Sequence, residues 1–156
     1  MKIYLRKEVF YWFLKRRNMK PSQFSTKIAI ILEKGLLQWQ ELNVTAFLAS
    51  AIASRFPETL GPEFTDASKQ TYLAIFRQPV LIFQATTGEL KKTYRLGREQ
   101  NLYIGIYTRP IFQTQGDENV KVIAEVTEEK QDLVGIILYG DIDAVNRCTK
   151  QISLHK

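Results

Sequence analysis

Apolar and polar positions fall into blocks whose period changes along the chain. Lys27-Ile28-Ala29-Ile30-Ile31-Leu32 is apolar on both faces, and Glu33-Lys34-Gly35 stops it before a segment of helical composition begins at Leu36. A run apolar on both faces predicts a central, parallel-type strand covered on both sides. The helix after it carries Ala46, Ala49, Ala51 and Ala53, small residues that let it sit close to a sheet, and ends at Phe56 before Pro57. Glu63-Phe64-Thr65 and Thr71-Tyr72-Leu73-Ala74-Ile75 flank a polar stretch, 66–70, and predict an accessory antiparallel hairpin. Pro79-Val80-Leu81-Ile82-Phe83 is a second core strand, and Thr86-Thr87-Gly88-Glu89 supplies a capping box for a helix to about Gln100. Asn101 suits the left-handed residue that ends this helix, and a third strand follows over 102–107.

After a loop containing Pro110, Asp117 is placed to cap a short helix to about Val126, and Leu133-Val134-Gly135-Ile136-Ile137-Leu138-Tyr139 reads as a fourth strand. Asp141 caps a last helix whose buried stripe is Ile142, Val145, Cys148 and Ile152, with Arg147 and Lys150 suited to its C-terminal dipole. Four strands each followed by a helix, plus the hairpin, predict a three-layer α/β/α sandwich with a four-stranded, mainly parallel sheet.

With 45% hydrophobic residues in 156, the chain can bury the core of one domain. The formal charge of +6 suggests a polyanionic partner only until it is located. Residues 1–20 hold seven basic residues against Glu8, so 22 less 7 and 16 less 1 leave fifteen of each sign in the remainder. The folded part is neutral, and weak nucleic-acid binding would run through the basic tail, with Lys15-Arg16-Arg17 as its densest cluster. Residues 1–24 read as a basic, flexible extension and 25–156 as the α/β domain. Val9-Phe10-Tyr11-Trp12-Phe13-Leu14 is too short to span a bilayer and lacks a small-residue cleavage site. Three readings stay open for it: an extension upstream of a natural start at Met19, an interfacial or partner-binding segment, or an added strand.

Cys148 is the one cysteine, so no intrachain disulfide framework exists and a cytoplasmic setting is expected. His155 is the one histidine, which argues against histidine triads and histidine-rich metal sites. No cofactor or metal is expected, and no phosphate-cradling loop or catalytic constellation stands out.

In an open α/β sheet, ligands settle beyond the carboxyl ends of the strands. Glu33 and Lys34, Gln84 and Thr86, and Tyr107, Thr108 and Arg109 follow the first three core strands, while Gln38, Trp39, Gln40 and Asn43 occupy the first turns of the opening helix. Lys34, Trp39, Gln40, Asn43, Tyr107, Thr108 and Arg109 are the candidate ligand-binding residues. Core packing for Trp39 and a backbone-satisfied amide for Asn43 are the competing readings. Lys91, Arg95 and Arg98 form a cationic stripe on the second helix, either a solvated face or a phosphate contact.

From Lys27 to Gly140 this arrangement resembles the peptidyl-tRNA hydrolase II proteins: an opening strand, an alanine-containing helix, Pro79-Val80-Leu81-Ile82-Phe83 leading through Thr86-Thr87-Gly88-Glu89-Leu90 into a helix, then Asn101-Leu102 and a third strand. Asp132-Leu133-Val134-Gly135-Ile136-Ile137-Leu138 looks like that family's closing strand. Trp39-Gln40-Glu41-Leu42-Asn43-Val44-Thr45-Ala46-Phe47-Leu48-Ala49, Gln78-Pro79-Val80 and Ile106-Tyr107-Thr108 look like an uncharacterised bacterial family assigned to the same fold, with no agreed activity. The hydrolases carry a glycine- and lysine-rich turn before the first helix and an Asp-Ala-Gly-Arg-Thr run after the third strand. Here Leu36-Leu37-Gln38-Trp39-Gln40 and Tyr107-Thr108-Arg109-Pro110 stand instead, so the key lysine and carboxylate have no counterpart. Glu33 is the one nearby carboxylate, read as an exposed turn residue. A non-catalytic small-ligand module comes first among the readings. A hydrolase of peptidyl or aminoacyl esters on tRNA and a protein-interaction or homodimer domain are the alternatives.

Overall fold

The order of the strands decides which loops meet, and here it departs from the expected sheet. The computed structural model describes residues 24–156; the expectations for the N-terminal extension lie outside the described residues, Phe24 apart. The elements are β1 (Thr26–Glu33), α1 (Gln38–Arg55), the hairpin β2 (Phe64–Thr65) and β3 (Thr71–Tyr72), β4 (Val80–Ala85), α2 (Thr87–Glu99), β5 (Tyr103–Thr108), α3 (Asp117–Ala124), β6 (Leu133–Asp141), α4 (Ile142–Thr149) and β7 (Ser153–Leu154). Among the described residues the main sheet has five strands in the order β5-β6-β1-β4-β7.

The four-stranded, mainly parallel sheet is therefore corrected to a five-stranded mixed one. β1 pairs with β4 in parallel, but β6 runs antiparallel to both β1 and β5, and β7 antiparallel to β4. The reason lies in α3, which buries no residue. A parallel return needs a crossover helix packed on a face of the sheet, and α3 does not provide one. The segment from Arg109 to Asp132 instead turns the chain back, and β6 enters between β5 and β1. The doubly apolar run of β6 reflects its central place, not its direction. β7 escaped the sequence reading because two residues beside Gln151 and His155 carry no strand pattern, and α4 stops at Thr149 rather than continuing to Ile152.

Helices cover both faces. Ile28, Ile30 and Leu32 point to α1 and its buried line Val44, Leu48 and Ile52. Ala29 and Ile31 point to the opposite side, with Leu90 of α2 and Val145 and Cys148 of α4. Of the alanines of α1, Ala46 and Ala51 are exposed and Ala49 and Ala53 half-buried, and the Ala51 methyl lies over Gly105, where an added Cβ would stand 3.5 Å from it. The strand glycines bring the helix close as well, since a Cβ on Gly135 would lie 2.5 Å from Val44 Cγ1.

Local signals behave as their chemistry requires. Thr86 Oγ1 accepts from the Glu89 amide and Glu89 Oε2 accepts from the Thr86 amide at 2.8 Å, closing the capping box. Asp141 Oδ1 accepts from the amides of Asp143 and Ala144. Asn101 holds φ 52°. Asp117 is the first residue of α3 rather than its cap, which is Gly116. In the hairpin, Asp66 Oδ1 takes the amides of Ser68 and Gln70 and the Ser68 hydroxyl while Oδ2 takes the Tyr72 hydroxyl at 2.9 Å; the Ser68 hydroxyl bond leads the contacts that hold this carboxyl below its ordinary range.

Candidate functional site

Because β1, β4 and β5 run the same way, their carboxyl ends share one edge of the domain with the start of β6. Two polar clusters form there, one on the α2 side and one against α1. The first is built on Glu33, the last residue of the central strand, which is 7% exposed rather than the exposed turn carboxylate of the sequence reading. Burial of a carboxylate demands partners. Thr87, in the first turn of α2, donates its hydroxyl to Glu33 Oε1 at 2.7 Å, and Arg109 donates Nη2 to Glu33 Oε2.

Arg109 reaches Glu33 across the start of β6. Its amide donates to the Asp132 carbonyl and its Nε to Asp132 Oδ2, both at 2.9 Å, so one guanidinium joins two carboxylates. The Glu33 bond, ahead of that to Asp132, pushes the arginine further above its ordinary value, against the opposing effect of burial. The arginine side chain keeps about half of its surface in solvent. Thr108, just before it, sits where the pairing of β5 with β6 slips; it is 1% exposed, and its hydroxyl has no hydrogen-bond partner among the described residues.

The second cluster lies on the α1 side. Tyr107 donates its hydroxyl to Asn43 Oδ1 at 3.0 Å, and burial raises the phenol above its usual range. A 3-10 turn, Arg109–Gln113, brings Phe112 to 5.1 Å from the Tyr107 ring and 5.6 Å from Trp39, edge-on to the indole. Phe47 meets Tyr107 edge-on at 5.8 Å. Beside these, Glu41 Oε1 takes a bond from Gln84 at 3.4 Å and lies 3.0 Å from His155 Nε2, which brings the end of the chain after β7 close to α1.

The candidate residues thus divide. Trp39, Asn43 and Tyr107 share one network, joined by Phe112. Arg109 belongs with Glu33 on the other side, and the Thr108 hydroxyl is bonded to neither network. Gln40 folds back so that Oε1 accepts the Leu37 amide at 2.9 Å, capping α1. Lys34 is exposed; its amide pins the strand end to the Ala85 carbonyl at 2.8 Å, and its charge contributes, after the Thr86 bonds, to holding the Glu89 carboxyl low. Trp39 is 56% exposed, which excludes simple core packing, and with Leu42 at 66% and Phe47 at 52% it gives α1 an apolar outer surface. Thr87, Asp132, Phe112 and Glu41 were not singled out from the sequence. Their signal was positional only: Thr87, Phe112 and Glu41 stand two to several residues beyond a strand end, and Asp132 immediately before the start of β6.

Among the described residues, no helix is long and apolar enough to cross a membrane. No group of three or more histidine, cysteine, aspartate or glutamate residues is placed there to hold a metal ion. The chain shows no significant match to a protein of curated function. It is similar to a solved structure of a protein of unknown function from Agrobacterium tumefaciens strain C58, at 32% identity over 86% of this chain and 100% of that one, with a TM-score of 0.82. The model of the DUF2000 family, described as proteins of unknown function, matches residues 26–156, from the first residue of β1 to the end of the chain. The chain belongs to the DUF2000 family.

Proposed function

We propose that residues 25–156 are a non-catalytic small-ligand-binding module on a peptidyl-tRNA hydrolase II-like scaffold, acting in a bacterial cytoplasm. The ligand sits at the carboxyl ends of β1 and β5. One observation carries the reading: the Thr108 hydroxyl is buried without a hydrogen-bond partner among the described residues, and the next residue, Arg109, keeps about half of its side chain in solvent. An orphaned buried hydroxyl costs stability, and a bound polar group would satisfy it. Both oxygens of Glu33 are already engaged by Thr87 and Arg109, so the carboxylate serves to aim the arginine. Arg109 has five N–H donors and uses two on Glu33 and Asp132, which leaves donors for an oxygen of the ligand.

The test is a thermal-shift screen of carboxylates, alcohols and amides against the wild type and Thr108→Val. A compound that raises the midpoint of the wild type and not of the variant supports the reading. A screen without such a compound, with the variant at wild-type stability or above, returns Thr108 to packing. A second reading, a homodimer or protein-interaction domain, is favoured by the exposed Trp39, Leu42 and Phe47 on α1. Sedimentation of the wild type and Leu42→Glu decides it: a dimer lost in the variant supports it, and a monomer at high concentration removes it.

A further inference from the structure

On the far side of the sheet, a groove of about 380 Å³ runs between α2 and α4, within the size range of small-molecule sites. None of its lining residues belongs to the strand-end clusters. Its floor is apolar, with Leu96 from α2 and Cys148 from α4, and burial pushes the cysteine thiol up, so the floor stays uncharged. Lys92, Arg147 and Lys150 stand at its rim.

The partners of two of these cations are neutral. Lys92 Nζ donates to Gln151 Oε1 at 3.0 Å, and Arg147 Nε donates to Gln100 Oε1 at 2.9 Å. Each bond links the α2 side of the groove to the α4 side. An amide oxygen fixes where a cation points without cancelling its charge, which a carboxylate would do. The one carboxylate in the lining, Glu89, is turned to the amide and hydroxyl of Thr86 at 2.8 and 3.0 Å. A solvated seam between two helices would ordinarily set carboxylates against such cations, as Glu128 is set against Arg98 on the same helix at 3.5 Å.

We infer that this groove binds a small organic anion, a carboxylate or phosphate monoester, whose charged end meets Lys92 and Arg147 and whose apolar body lies over Leu96 and Cys148. Cations already held in place lose little freedom on binding, and an apolar floor excludes the water that would screen them. The inference is independent of the strand-end reading.

The test is an amide NMR titration of the full chain with 1-naphthyl phosphate and, separately, 1-naphthoate. Saturable shifts centred on Lys92, Leu96, Arg147 and Cys148 are expected. Arg147→Gln and Lys92→Gln each weaken binding by about tenfold or more, the cost of one charge-assisted hydrogen bond. Arg95→Gln, on the same helix but outside the groove, leaves it unchanged. Tighter binding of the phosphate or of the carboxylate names the headgroup. Shifts that do not saturate, shifts centred on Thr108 and Arg109, or wild-type affinity in either groove variant would overturn the proposal; of these, only shifts at Thr108 and Arg109 bear on the strand-end reading, which they would support.

Discussion

Replacing Lys27 by Met tests how the core of this domain treats a charge. Lys27 opens β1 on the side of α4, half-buried; its Nζ donates to Asn146 Oδ1 at 2.6 Å and lies 5.8 Å from the Phe83 ring centre. Burial lowers the amine from 10.5 to about 8. The unfolded chain therefore binds the additional proton between those two values, and stability rises with pH across that window. Below about pH 8 the folded protein carries the full cost of the buried ammonium; above about 10.5 it carries none. A shift of that size corresponds to a ceiling of about 3 kcal/mol, and the solvent still reaching the amine reduces it to about 1–2 kcal/mol. Methionine keeps the length and flexibility of the stem without the charge. Urea unfolding at pH 7, 8, 9 and 10 should show Lys27→Met more stable than the wild type by that amount at pH 7, with the two converging as pH rises. A constant difference across the series, or a variant less stable at pH 7, would refute the reasoning, because it would mean that the Asn146 bond outweighs the desolvation.

Four further outcomes are expected. Arg109→Ala strips Glu33 of its cationic partner and should cost about 1–3 kcal/mol in denaturant unfolding; Arg109→Lys should recover only part, since a point charge cannot fork between two carboxylates. Gly135→Ala places a methyl group 2.5 Å from Val44 Cγ1 and should destabilise by about 1–3 kcal/mol, with Val44→Ala in the same chain restoring part of the loss. Tyr107→Phe removes the donor to Asn43 and should cost about 0.5–1.5 kcal/mol, read by chemical denaturation. A chain beginning at Met19 should keep its thermal midpoint within about 5 °C of the full chain; a larger fall would show that the preceding residues pack on the core.

What the sequence disclosed was mostly local. The runs at Ile28 to Leu32 and Leu133 to Tyr139 declare strands because both faces are apolar, and Thr86, Asn101 and Asp141 mark helix ends through bonds made within a few residues. Strand direction is not local. Nothing within residues 133–141 says that they pair antiparallel with β1; that follows from α3 failing to bury a face, a property of the connection. The site divides the same way. Tyr107 and Asn43 were both nameable from their places at a strand end and on the first turns of a helix. The burial of Glu33, by contrast, depends on Arg109 and Thr87 arriving from distant segments, and a glutamate before Lys34 and Gly35 looks like any solvated turn residue. His155 stands next to the last residue, yet the pairing of β7 with β4 places it beside Glu41.

The position of β6 also bears on how the chain folds. Among the described residues β5 has β6 as its only neighbour in the sheet, and β1 needs β6 for its second, so two strands made early wait for one made late. Register partners such as Ala29 and Leu138 lie near opposite ends of the described chain, and the entropy of closing so long a loop is lost before their contacts form. Until then the β1–β4 pair can assemble with α1 and α2, but its outer edge is an open row of amides and carbonyls flanked by isoleucine side chains. Refolding should accordingly be slow, and a chain stopped before Leu133 should associate through that edge rather than persist as a smaller folded unit.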